Sequence, residues 1–223
     1  ELKYQTRNRL KRMFLNGSTT IEVKTGYGLD IETEQKMLQA VLELDDEGPW
    51  ELAFTYLGAH AIPPEFKDDA DGYVRFLTRK ALPAIFGFWA EHGGERSLPF
   101  VDVFCETGAF DLEQSRTILQ AAKELGFPLK VHSDEFDNLG GTSLAVEMGA
   151  VSVDHLVATS DEEIAALGGS ETVAVSLPCT PFGLAESEYT PAKKILDAGG
   201  YLAIATDLNP GTAWCETMQF AQA

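Results

Sequence analysis

The chain has only four histidines, His60, His92, His132 and His155, and three of them close short apolar runs. His132 ends Leu129-Lys-Val-His132 and is followed three residues later by Glu135, within His-Ser-Asp-Glu. A histidine at the last inward position of a strand points into the space beyond it, and a carboxylate in the next loop can turn back over that space. Imidazole beside carboxylate suits a metal ligand next to a general acid/base. The plainer alternative is a histidine filling a core layer under a solvated acidic loop. His155 ends Val151-Ser-Val-Asp-His155, where a neutral imidazole can steady a hydroxide or an oxyanion, or simply bond a backbone carbonyl. Asp207 ends Ala205-Thr-Asp207 and precedes Leu-Asn-Pro-Gly-Thr. A carboxylate there can bind a hard or borderline cation and accept a proton from water, although Asn-Pro-Gly is also ordinary turn chemistry.

Other reactive side chains read as structural. His92, in Glu-His-Gly-Gly, marks an exposed helix end, and Cys105 has no base beside it in sequence. Lys130 lies two residues before His132 and shares its face, deeper in the strand, where nothing else supports a Schiff base. Gly140-Gly141 is a tight turn rather than a phosphate cradle. Phe86, Phe88 and Trp89 suit a helix core or an oligomer contact.

The elements that must position these groups alternate in type. Runs rich in β-branched and aromatic residues are expected to be strands at Thr19 to Lys24, Leu52 to Leu57, Phe100 to Cys105, Leu129 to His132, Val151 to His155, Thr172 to Leu177 and Tyr201 to Thr206. Helical spacing of apolar residues covers Thr33 to Leu44 and Leu112 to Leu125, the second stopped by Gly126. Ser160-Asp-Glu-Glu163 has the spacing of a capping box, and Thr190-Pro-Ala192 starts another helix with Pro191 at its first position. Strands separated by helices imply a parallel sheet covered on both faces. An open doubly wound sheet and a closed (β/α)₈ barrel both satisfy that pattern. The barrel is preferred because polar residues follow the C-terminal ends of nearly all the strands, and only a barrel brings those ends to one mouth. Seven strands are one short of closure. A strand ahead of Glu1 would complete the ring, so the chain is expected to lack its beginning. With no linker, low-complexity tract or repeat, residues 1–223 are read as one domain.

Composition narrows the function. The formal net charge is −18, and a chain that is 44% hydrophobic and 23% charged has the composition of a globular protein, which excludes a disordered chain. Five basic residues (Lys3, Arg7, Arg9, Lys11 and Arg12) gather near the start, so the rest is more acidic still. Such a body repels phosphate backbones and anionic lipid, and neither nucleic acid nor membrane is an expected partner. No apolar run approaches the roughly 18 residues of a membrane span. Cys105, Cys179 and Cys215 form no disulfide or zinc pattern, which fits a reducing cytoplasm.

Several stretches together resemble the amidohydrolase superfamily and, within it, the imidazolonepropionase family. They are Ile21-Glu-Val-Lys-Thr-Gly-Tyr-Gly-Leu29, Gly58-Ala-His-Ala61 with Pro63-Pro-Glu65, Asp102-Val-Phe-Cys-Glu106, Lys130-Val-His-Ser-Asp-Glu135, Gly140-Gly141, Asp154-His-Leu156 and Thr206-Asp-Leu-Asn-Pro-Gly-Thr212. The resemblance implies a metal-dependent barrel hydrolase that opens the cyclic amide of 4-imidazolone-5-propanoate to N-formimino-L-glutamate in histidine degradation. It implies one divalent ion, zinc or iron, with His132 and Asp207 as ligands. Glu135 would contact substrate and move protons, His155 would assist the attack, and Asp207 would share the proton work. Tyr27 and His60 would bind substrate, and Asn209, Gly211 and Thr212 would hold its propionate arm. A homodimer is implied as well.

The chain departs from that family pattern in three respects. It has no His-x-His pair, it lacks the carboxylate-reading arginine that lies upstream in the family, and it has no counterpart of the small β-domain. Two readings stand beside the leading one: a related deaminase of a small heterocycle, and a catalytically dead barrel that binds a small acid.

Overall fold

The computed structural model describes residues 1–223 as alternating strands and helices. The seven strands are β1 (Thr20–Lys24), β2 (Glu51–Ala59), β3 (Phe100–Cys105), β4 (Lys130–Ser133), β5 (Ser152–His155), β6 (Val173–Ser176) and β7 (Tyr201–Ile204). They pair in sequence order, each parallel to the next. Every expected strand is present within two residues at most of its ends. The helices are α1 (Leu2–Leu15), α2 (Ile31–Glu47), α3 (Ala70–Phe76), α4 (Leu82–His92), α5 (Leu112–Glu124), α6 (Gly141–Met148), α7 (Asp161–Gly168), α8 (Cys179–Leu184), α9 (Ala192–Asp197) and α10 (Met218–Ala221).

Local chemistry sets these boundaries. Ser160 and Glu163 form the expected capping box of α7, and Asp111 with Gln114 forms a second one at α5. Leu125 caps α5, and Gly126 follows at φ 87°, the left-handed turn that favours glycine. Pro191 differs from expectation. It sits just ahead of α9 at ψ 56°, outside helical geometry, and the Thr190 hydroxyl bonds the His155 carbonyl instead of capping the helix. Between α3 and α4 the chain runs through a π-helical turn at Leu77–Ala81. Pro83 in the following turn has no N–H to give, which breaks the regular ladder there.

One apolar core joins the sheet to its helices, with Val103, Val131 and Val153 buried on the central strands and Leu38, Leu44, Ile118, Leu119, Leu144 and Leu167 buried on the helices. Trp89 of α4 meets Phe54 of β2 edge to face at 5.0 Å. The basic helix α1 lies on α2, burying Leu10 and pairing Arg7 with Glu47 at 2.6 Å. It also reaches the chain after β7. Arg12 pairs with Glu216 at 2.5 Å, Arg9 stacks over Trp214 at 5.3 Å, and Gln219 donates to the Asn16 carbonyl at 3.0 Å. Side chains therefore bridge the helix ahead of β1 to the segment after β7, and the strand row curves enough for Lys24 of β1 to reach Asp154 of β5. No helix is long and apolar enough to cross a membrane.

Candidate active site

Charged side chains on alternate strand positions face the inside of the curve, as period-2 geometry requires. Glu22 and Lys24 of β1, Asp102 of β3, Lys130 and His132 of β4, and Asp154 of β5 form one network. Lys24 Nζ lies 2.7 Å from Glu22, 2.8 Å from Asp102 and 3.2 Å from Asp154. Lys130 Nζ reaches the other Glu22 oxygen at 2.8 Å. His132 donates from Nδ1 to Asp102 at 3.0 Å. Burial works against these charges, but the carboxylates around Lys24 hold its ammonium well above its ordinary pKa. His132 is likewise pushed up to about 9, burial being outweighed by the Asp102 charge and hydrogen bond. Asp102, fully buried, is held below the usual carboxylate range by His132 and Lys24.

One layer outward, at the strand ends, the balance changes. Asp154 points inward, so a regular strand would send His155 to the helix side. His155 instead takes φ 83°, and its ring lies 5.3 Å from that of His132. Five of the six non-glycine residues with positive φ sit just at or beyond strand ends: Leu29, Asp134, His155, Leu156 and Asp207. Backbone strain gathered at one end of a sheet is a mark of a functional surface. Glu135 Oε2 is 3.5 Å from His155 Nε2, and the two residues line a cavity of about 380 Å³ with Phe136, Thr180 and Pro181. Burial, and then the charge of Asp207, lifts Glu135 to about 7. Burial, with help from His132, lowers His155 to about 4, so its ring is neutral at pH 7. Asp207 accepts from Thr180 at 2.6 Å and from Asn209 at 3.1 Å, both on the same oxygen.

The loop after β1 brings Tyr27 to the same mouth. Its ring packs edge-on to His60 at 5.1 Å, and burial together with the Asp207 charge raises its phenol pKa. His60 donates from Nδ1 to the Gly26 carbonyl at 2.8 Å, which leaves Nε2 as its acceptor. Gly26 has φ 104°, and a Cβ there would stand 2.4 Å from the Leu57 carbonyl oxygen, so the glycine is required. Asn209, Gly211 and Thr212 share one turn with their donors directed at each other. Asn209 Oδ1 accepts from both the Gly211 and Thr212 N–H at 2.8 Å, and Asn209 Nδ2 donates to the Thr212 hydroxyl at 2.8 Å.

Several supporting residues carried no role in the sequence reading. Buried Glu34 accepts from the N–H groups of Gly26, Gly28 and Leu29 and so fixes the Tyr27 loop. Glu106 accepts from Phe136 and Asp137 and anchors the loop bearing Glu135. Asp134 takes bonds from Ser133, Thr142 and Thr159. The available signal was ionisable residues two apart in apolar strands, as in Glu22-Val-Lys24 and Lys130-Val-His132. The readings of Lys130 and Cys105 as non-catalytic agree with the geometry: one is ion-paired, and burial pushes the other up to about 11.

The donor set suits a divalent ion. His132 Nε2 has no protein hydrogen bond, Asp207 keeps one oxygen without a protein partner, and His155 Nδ1 is buried with none. One imidazole and one carboxylate are zinc- or iron-type donors. Asp102, His132 and Asp154 also have ligand atoms within 4.8 Å of one another, but the Lys24 ammonium already lies against both carboxylates.

Parallel strands in sequence order, helical crossovers and polar groups massed at the strand ends define a barrel-type parallel α/β fold. Solved structures agree on the fold. A triazine hydrolase from Arthrobacter aurescens aligns over 92% of this chain and 48% of its own at TM-score 0.69 and 14% identity. A guanine deaminase from C. acetobutylicum aligns over 93% of this chain and 51% of its own at TM-score 0.67 and 14% identity. No family model matches the chain. The particular resemblance is to imidazolonepropionases. That of Herpetosiphon aurantiacus is 52% identical over 99% of this chain and 52% of its own length. Those of Chloroflexus aggregans and Treponema denticola are 47% and 45% identical, over 96% and 99% of this chain and 50% and 52% of theirs. The chain thus spans about half the length of the curated relatives it matches.

Proposed function

We propose that these strand ends form part of a site for metal-assisted hydrolysis of 4-imidazolone-5-propanoate to N-formimino-L-glutamate. The observation that carries the reading is the convergence of Glu135, His155 and Asp207 in a chain half identical to an imidazolonepropionase along its whole length. His132 Nε2 and Asp207 would hold a zinc or iron ion, which would supply Lewis-acid activation of water.

The chain's own residues handle position and protons. Glu135, with a pKa of about 7, exists in both forms near neutrality and can take a proton from water and return it to the departing ring nitrogen. His155 stays neutral and offers an N–H to the oxyanion that develops at the carbonyl. Thr180 and Asn209 hold Asp207, which accepts the second proton. Tyr27 and His60 flank the ring. The propionate is held by exchange of the Asn209, Gly211 and Thr212 bonds, local donors that an anion needs in so acidic a protein. The family resemblance adds a homodimer and the cytoplasm to this reading, and the acidic composition argues against nucleic acid and membrane as partners.

The test follows imidazolone consumption by the natural protein. Glu135→Gln is expected to lower kcat by about 10²- to 10⁴-fold while metal content stays unchanged. Wild-type turnover in that variant would refute the proton role.

A further inference from the structure

We propose that Asp102, itself clamped by the Lys24 ammonium, is the positioning residue that fixes the His132 ring with Nδ1 turned to the floor and Nε2 presented to the mouth. This rests on the reading of His132 as a metal ligand for its consequence, but not for its geometry. Each oxygen of the Asp102 carboxylate has its own partner: Oδ1 takes the His132 Nδ1–H at 3.0 Å, and Oδ2 takes Lys24 at 2.8 Å. Asp102 has no exposed surface, and Lys24 is tied in turn to Glu22 and Asp154, so the carboxylate cannot rotate without breaking two buried ion pairs. With Nδ1 engaged as a donor, Nε2, which no protein group binds, is the nitrogen left to a metal once its proton is displaced. A carboxylate on the far nitrogen both orients a ligating imidazole and raises its basicity.

Lys24 has a second part in this arrangement. The ligand atoms of Asp102, His132 and Asp154 lie close enough to enclose a cation, and the ammonium is the cation they enclose. It neutralises the floor and leaves His132 facing outward.

The experiment compares the natural protein with Asp102→Asn. A neutral amide has one oxygen for two cationic donors, so it serves either His132 or Lys24 but not both. Zinc affinity, measured by chelator competition, is expected to fall by about 10- to 100-fold, and the downfield, exchange-protected His132 Nδ1 proton seen by NMR in the wild type is expected to move upfield and exchange faster, or to vanish where the amide serves Lys24 instead. That proton is read in the metal-free wild type first, so the positioning is tested even if the variant does not fold. Its absence there would overturn the proposal, as would Asp102→Asn binding zinc as tightly as the wild type. A wild-type protein that holds no zinc but shows the protected Nδ1 proton would refute the ligand reading while upholding the positioning.

Discussion

The floor and the mouth of the sheet use the same residue types to opposite ends. On the floor, Glu22, Lys24, Asp102, Lys130 and Asp154 pair at 2.7–3.2 Å, and every carboxylate has a cation against it. About 7 Å further along the strands, Glu135 and Asp207 share a region with no lysine or arginine, and their charges oppose each other. The nearest basic group is His155, at 3.5 Å, whose burial keeps it neutral at pH 7. Paired charges make a rigid base. Unpaired ones are costly, and they are the groups whose protons can move. His132 belongs to both layers, with one nitrogen on the floor and the other toward the mouth.

The comparison breaks most visibly if Lys24 is removed. Lys24→Met would strand Asp102 and Asp154 against each other in a buried setting, and a loss of about 3–5 kcal/mol is expected, read from denaturant unfolding. A loss below about 1 kcal/mol would mean that the floor carboxylates find other partners, and the rigid base would be a misreading.

At the mouth the sign should reverse. Glu135 has its pKa raised from 4.5 to about 7 in the folded chain, so the unfolded chain loses its proton first as pH rises. Its contribution is nil below about pH 4.5 and grows into a penalty up to about pH 7. Glu135→Gln in metal-free protein should therefore stabilise at pH 8, by as much as about 3 kcal/mol, and make no difference at pH 4. Melting curves at the two pH values check this. A destabilised variant at pH 8 would show that Glu135 is stabilised by partners rather than held at a cost.

Much of this contrast was legible in the chain. The strands announced themselves because β-branched runs alternate with helical spacing, and His132, Glu135, His155 and Asp207 stood out because they follow those runs. The floor did not stand out, because its meaning depends on register: His132 lies beside Asp154, and Ser133 beside His155, only once β4 and β5 are aligned. The turn of His155 into the mouth was likewise hidden, since it needs a positive φ that a non-glycine residue does not advertise. Of the helical stretch from Ala70 to His92 only the last part, from Phe86 to the helix end at His92, was legible, because its π turn breaks the 3.6-residue spacing. Glu34 was hidden by its position in a helix, where an acidic residue reads as solvated.

Glu34 offers the finest test, because it is a mouth residue paired neither with a cation nor against another acid. Its carboxylate accepts backbone N–H groups of Gly26, Gly28 and Leu29 at 2.8–3.0 Å, so its charge is spread over peptide dipoles of the loop that carries Tyr27. Glu34→Gln keeps the shape but turns an amide NH₂ toward donors, which should cost about 1–2 kcal/mol and loosen that loop. If Tyr27 serves binding and Glu135 serves the chemistry, KM for the imidazolone should rise several-fold while kcat holds, since uniform binding is what is lost. A fall in kcat with KM unchanged would instead assign the loop to the transition state. The mouth would then extend from Asp207 across to β1 as one reacting surface, and Tyr27 would join Glu135 among the groups that act on the ring.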